Sequence, residues 1–134
     1  EVVYTLETLS YLARGGRIGR VQALAGSLLN LKPIIHVDRK DGKYSTLGKA
    51  RTITRAVAEI VEHLKEEYGE KAVWVSVMHG QYVEQAQELA QKLSESLNVK
   101  KLEILRISPV LGVHTGPGIV GAAVVPVSVM EGLI

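Results

Sequence analysis

The sequence predicts an α/β fold, a small mixed sheet with helices packed on it, and three observations carry that prediction. Residues 52–68 place Ile53, Ala56, Val57, Ile60, Val61 and Leu64 on one stripe at helical spacing. Residues 71–78 are nearly all apolar over a strand's length, the pattern of a strand covered on both faces. A second amphipathic stretch, 82–97, leads into a further strand at 102–107. The second half therefore holds a strand–helix–strand unit, whose crossover should be right-handed.

The other elements follow in chain order. In residues 5–13, Leu6, Leu9, Leu12 and Ala13 recur at helical spacing, with Thr5 as the cap and Gly15-Gly16 as the stop. A second helix runs through Val21, Leu24, Ala25, Leu28 and Leu29 to about Asn30, and Pro33 bars its continuation. Residues 32–38 read as a strand, and Asp41-Gly42 turns it into a partner at 43–47. Gly69 ends the long helix. The helix at 82–97 should turn Val83, Ala86, Ala90, Leu93 and Leu97 inward. A last strand, 119–129, is interrupted by Pro126. With no repeat, low-complexity run or linker, residues 1–134 form one domain.

Composition removes several function classes. A chain of 134 residues, 46% hydrophobic and 22% charged, can bury a core without covalent staples. A net charge of +2 with dispersed Lys and Arg does not suit a nucleic-acid partner. Phe is absent and Trp74 lies in an apolar run, so there is no aromatic stacking platform. The absence of Cys removes disulfides, thiol nucleophiles and zinc–thiolate sites, and it agrees with an expected cytoplasmic location. No apolar run reaches membrane-spanning length. The start, Glu1-Val2-Val3-Tyr4, is neither a signal nor a transit peptide, and the lack of Met there points to a piece of a longer protein.

Two loops carry the candidate chemistry. Gly15-Gly16-Arg17-Ile18-Gly19 sits between two predicted helices. Its glycines permit a sharp turn, the following helix start offers free N–H groups, and Arg17 offers a planar cationic fork to a carboxylate or phosphate. The other reading is a plain turn with a solvated Arg17. Gly112-Val113-His114-Thr115-Gly116-Pro117-Gly118 combines backbone donors, an imidazole and a hydroxyl. Its other reading is a Gly-Pro turn with His114 satisfied locally.

Other motifs are weaker. Gly116 to Gly121 matches G-x-G-x-x-G, but Pro117 removes a donor and a strand, not a helix, follows. His36 and His63 read as structural, whereas His79 ends a strand, where α/β proteins often bind ligands. No HExxH, serine elbow or carboxylate pair occurs, so no catalytic residue, metal or cofactor is expected. The basic stretch Lys49-Ala50-Arg51-Thr52-Ile53-Thr54-Arg55 enters a helix, where positive charge opposes the dipole. Either an anionic partner or solvent answers that charge.

Three runs together resemble the C-terminal half of the DegV family: Leu9 through Ile18, Ala23 through Ile34, and Ser108 through Gly118. The resemblance spans nearly the whole chain. It implies one α/β domain of a two-domain fatty-acid-binding protein, with a long-chain fatty acid buried between the domains and presented to a fatty acid kinase that phosphorylates its carboxyl group. It further implies that Arg17 and His114, with Gly16 and Thr115 on the same loops, bind the carboxylate end. Arg51 would sit where family members meet the kinase or the phosphoryl group. The family's N-terminal domain, with the Ser and Thr residues that grip the carboxylate, is the missing partner. Three functions compete: a non-enzymatic lipid carrier half, a kinase-associated docking or regulatory domain without its own ligand, and an enzyme using His114 and Arg17. An apolar cleft beside His114 would favour the first. An apolar face where the second domain packs would promote self-association.

Overall fold

The first strand of the chain and the last meet in the middle of the sheet. The computed structural model describes residues 1–7, 31–37, 41–107 and 118–131. Among these lie six strands, β1 (Val2–Leu6), β2 (Lys32–Val37), β3 (Tyr44–Ala50), β4 (Ala72–His79), β5 (Asn98–Arg106) and β6 (Ile119–Pro126). Three helices accompany them: α1 (Ile53–Tyr68) between β3 and β4, α2 (Val83–Ser96) between β4 and β5, and α3 (Val127–Glu131) after β6. The strand order is β3-β2-β1-β6-β4-β5. β4 and β5 are parallel, as the α2 crossover requires, and every other pair is antiparallel.

α1 forms because its stripe, its cap and its stop agree. Thr52 accepts a hydrogen bond from the Arg55 N–H at 3.1 Å, and Gly69, at φ 56°, donates to the Lys65 carbonyl. The predicted stripe is buried from Ala56 to Leu64 and joined by Tyr68, while Ile53 is half-buried at its edge. It packs with Ala86, Leu89 and Leu93 of α2 on one face of the sheet, over Val3, Ile34, Val75, Val77, Val120 and Val124. A smaller apolar cluster, Tyr4, Leu6, Ile35 and Ile119, occupies the second face.

Several expectations need correction. Thr5 and Leu6 lie in β1, not at a helix start, because the backbone from Val2 to Leu6 pairs with β6 on one side and β2 on the other. The rest of the two predicted N-terminal helices falls outside the described residues. β4 is not equally buried on both faces: Val73, Val75, Val77 and His79 are buried while the alternate positions are half-buried. Val83 is 53% exposed, and Leu89 takes an inward place. β5 begins four residues earlier than expected, at Asn98. The last strand stops at Pro126, which supplies no N–H for the ladder, and α3 starts there. The 32–38 strand and the hairpin through Asp41-Gly42 are found, with Gly42 at φ 69°.

Candidate functional site

The register aligns three apolar rows across the second face. Leu6 pairs with Ile119 in the first. Tyr4 pairs with Ile35 on one side and Gly121 on the other, and Gly121 pairs with Met78, in the second. Val37 pairs with Tyr44, and Val2 with Ala123, in the third. Successive rows are about 6.8 Å apart, two residues along a strand. Between them lies a cavity of about 110 Å³, walled by Tyr4, Met78, Ile119 and Gly121 together with Ile107, Val2, Val37 and Tyr44. Among the described residues that line it, none is charged.

Gly121 lets the strands close beneath this cavity. A Cβ there would fall on Tyr4 Cβ and the Val3 carbonyl, so only glycine permits the approach of β6 to β1. Above it the Tyr4 and Tyr44 rings meet edge to face, centroids 6.1 Å apart at 88°. Burial above all, and then the neighbouring Tyr44 phenol, raises the pKa of the Tyr4 hydroxyl.

At one end of the sheet lie the described residues that bracket the segments holding the two candidate loops. Arg17 and Gly16 lie in the segment between Glu7 and Leu31, and His114 and Thr115 in that between Ile107 and Gly118; all four lie outside the described residues. Their flanks gather at one end of the sheet. The Glu7 N–H donates to the Gly118 carbonyl at 2.8 Å, and the Lys32 ammonium donates to the Glu7 carbonyl at 3.0 Å. The Ile107 N–H donates to the His79 carbonyl, and the Gly80 N–H to that of Ile119. Ile107 and Ile119, which flank the second loop, also wall the apolar cavity.

Arg51 is exposed on the turn between β3 and α1. Its neighbour Ala50 pairs with Lys32, so Arg51 stands at the outer corner of this same sheet end. It lines none of the cavities described here.

The other histidines have local partners. His79 is buried, and its Nδ1 accepts from the Tyr82 N–H at 3.3 Å, which fixes the turn into α2. An open cleft of about 740 Å³ lies beside it, reaching Arg106 and the first turn of α2. The Tyr82 hydroxyl is pushed up to about 12, by burial first and by the Glu7 carboxylate second. His63 Nε2 lies 2.7 Å and His36 Nδ1 3.4 Å from Glu1 Oε1, so both rings brace the start of β1. Among the described residues no cluster of His, Asp or Glu is arranged to hold a metal ion. None of their helices is long and apolar enough to cross a membrane.

The wall residues on β1, Val2 and Tyr4, were not singled out in the sequence. The available signal is a Val-Val-Tyr-Thr-Leu run rich in β-branched and aromatic residues, masked by helical spacing from Leu6 onward.

Comparison with known proteins gives a consistent relationship. Residues 1–127 match the family model described as "Uncharacterised protein, DegV family". A DegV domain-containing protein of Deinococcus radiodurans is 38% identical over 127 residues, covering 94% of this chain and 44% of the relative. One from Clostridium acetobutylicum is 40% identical over 124 residues, covering 92% and 44%. The chain thus spans less than half the length of these relatives. Among solved structures, a fatty-acid-binding DegV family protein of Thermus thermophilus superposes with a TM-score of 0.87 at 31% identity, over 94% of this chain and 45% of that one. A stearic acid-binding protein of Eubacterium ventriosum superposes at 0.75 with 30% identity, over 93% and 44%. The mixed sheet, its helices and the matched length together make this chain a member of the DegV family.

Proposed function

We propose that this domain forms one wall of a long-chain fatty-acid site and acts as a carrier without chemistry of its own. The observation that carries this reading is the apolar cavity on the second face, which begins at Ile107 and Ile119, near the two sides of the segment that holds His114, and whose described lining is free of charge. An alkyl chain laid there exchanges water for Tyr4, Met78 and Ile119, worth about 0.8 kcal/mol per buried methylene. The carboxylate would then lie at the sheet end, where burying it unpaired is costly. Arg17 and His114, assisted by Gly16 and Thr115, are the groups suited to receive it. The fatty-acid-binding neighbours support the ligand class.

In this reading a second, N-terminal domain supplies the opposite wall, and the complete protein hands the carboxyl group to a cytoplasmic fatty acid kinase. Arg51, exposed at the outer corner of the same end and outside the cavity wall, suits that docking role. Any apolar surface that the second domain covers would, if left bare, favour self-association. Mass spectrometry of lipid extracted from the full-length protein tests the proposal. A stoichiometric long-chain fatty acid is the expected result. A protein free of lipid that also fails to bind added palmitate would overturn it.

A further inference from the structure

We infer that Tyr44 and Met78 set the length of acyl chain that this domain accepts, Tyr44 as the end wall and Met78 as the adjustable side wall. The inference rests on the fatty-acid reading above and adds to it the point at which the chain must stop.

The cavity has a direction. It starts at Ile107 and Ile119, beside the flanks of the polar loop, and ends two rows away at Val2, Val37 and Tyr44. Beyond Tyr44 the strand runs into the Asp41-Gly42 turn, where Asp41, Gly42 and Lys43 are exposed and the Lys43 N–H donates to the Asp41 carboxylate. A methyl terminus pushed past Tyr44 would therefore leave apolar surface for a solvated polar turn. The Tyr44 ring is held edge-on against Tyr4, and its only soft side-chain torsions are two, so it is a stiff barrier.

The floor cannot deepen to compensate. Gly121 already lets β6 approach β1 more closely than any Cβ would allow, and the backbone of both strands is fixed by the pairing from Val2–Ala123 to Leu6–Ile119. Met78 is different. It is unbranched, faces the cavity beside Gly121, and can shift its thioether to suit a chain. Changes at these two side chains should thus be read out in the last few carbons and not at the carboxylate.

The test measures dissociation constants of the full-length protein for saturated acids of graded length, for the unmodified protein, Tyr44→Ala and Met78→Trp. Tyr44→Ala removes the end wall and should move the preference toward longer acids. Met78→Trp fills the side of the cavity and should move it toward shorter ones, on the order of fourfold per methylene displaced. The new indole also reports directly, because its emission should change only for acids long enough to reach it. Tyr44 is half-buried on an edge strand, so Tyr44→Ala decides the matter alone if the bulkier variant does not fold. Length profiles that stay parallel to the unmodified protein in a folded variant overturn the inference and leave the fatty-acid reading standing. Failure of the unmodified protein to bind any acid overturns that reading itself.

Discussion

Gly121 and Tyr82 illustrate how single residues hold the two ends of this domain. At Gly121 the constraint is steric: an added Cβ meets Tyr4 and the Val3 carbonyl across the central strand pair. Backbone cannot yield there without disturbing the β1–β6 ladder, so Gly121→Ala should cost about 1–3 kcal/mol, the usual range for overpacking. Urea unfolding of the two proteins measures it, and unchanged stability would mean that the strands part at little expense. At Tyr82 the constraint is electrostatic. Burial and the Glu7 carboxylate raise its phenol from the ordinary 10 to about 12, so the folded state holds a proton that the unfolded chain releases earlier. The stabilisation is complete below pH 10 and is lost as pH rises from 10 towards about 12. Urea midpoints at pH 9 and 11 should fall less in Tyr82→Phe than in the parent. Tyr4 shifts in the same direction and is common to both proteins, so the difference isolates Tyr82. Equal losses would show that Tyr82 does not couple to Glu7.

At the scale of elements, local signals and long-range pairing contributed unequally. α1 was legible because its stripe, Thr52 cap and Gly69 stop all lie within one stretch of chain. The β2–β3 hairpin was legible for the same reason, with Asp41-Gly42 between its strands. β1 was not. Its five residues gain their structure from β2, about 30 positions on, and from β6, more than a hundred on, and no local period records such partners. Its last residue also starts a Leu6, Leu9, Leu12 series that reads as helix. The turn before α1 allows a test of docking that is separable from stability. Arg51 is exposed ahead of the Thr52 cap, near the positive end of the helix dipole. Arg51→Glu should therefore leave the fold intact or stabilise it by about 0.3–1 kcal/mol. In the full-length protein it should spare fatty-acid binding and slow phosphorylation by the kinase, most strongly at low salt. A loss of fatty-acid affinity as large as the loss of phosphorylation would move Arg51 into the pocket.

At the scale of the whole molecule, the central position of β1 and β6 matters most for the site. Leu6 and Ile119 pair, so the chain beyond each strand leaves or enters at one end of the sheet. Sequence alone supplied the two Gly-rich segments and a resemblance that joins them, but not the strand order that brings their flanks together. The Glu7 N–H donates to the Gly118 carbonyl, so the chain enters residues 8–30 and leaves residues 108–117 side by side. The cavity itself was unreadable from sequence, because its walls come from five strands and the residue after β5. From this geometry the proposed carboxylate end yields its sharpest prediction. A fatty-acid carboxylate taken out of water must keep strong partners. Arg17 offers charge and a fork, and His114 offers one further hydrogen bond to the same group or to a neighbouring hydroxyl. In the full-length protein His114→Ala should weaken fatty-acid binding by about 1–3 kcal/mol, the range for a lost hydrogen bond to a charged group. The acyl alcohol of equal length buries the same tail but carries no charge, so its affinity should fall less. Arg17→Ala should narrow the acid's advantage over the alcohol further, and the double variant should lose less than the sum, because the two side chains would share one ligand. Equal losses for acid and alcohol would make His114 a packing residue. Strict additivity would mean that Arg17 and His114 act on the ligand independently and do not share the carboxylate.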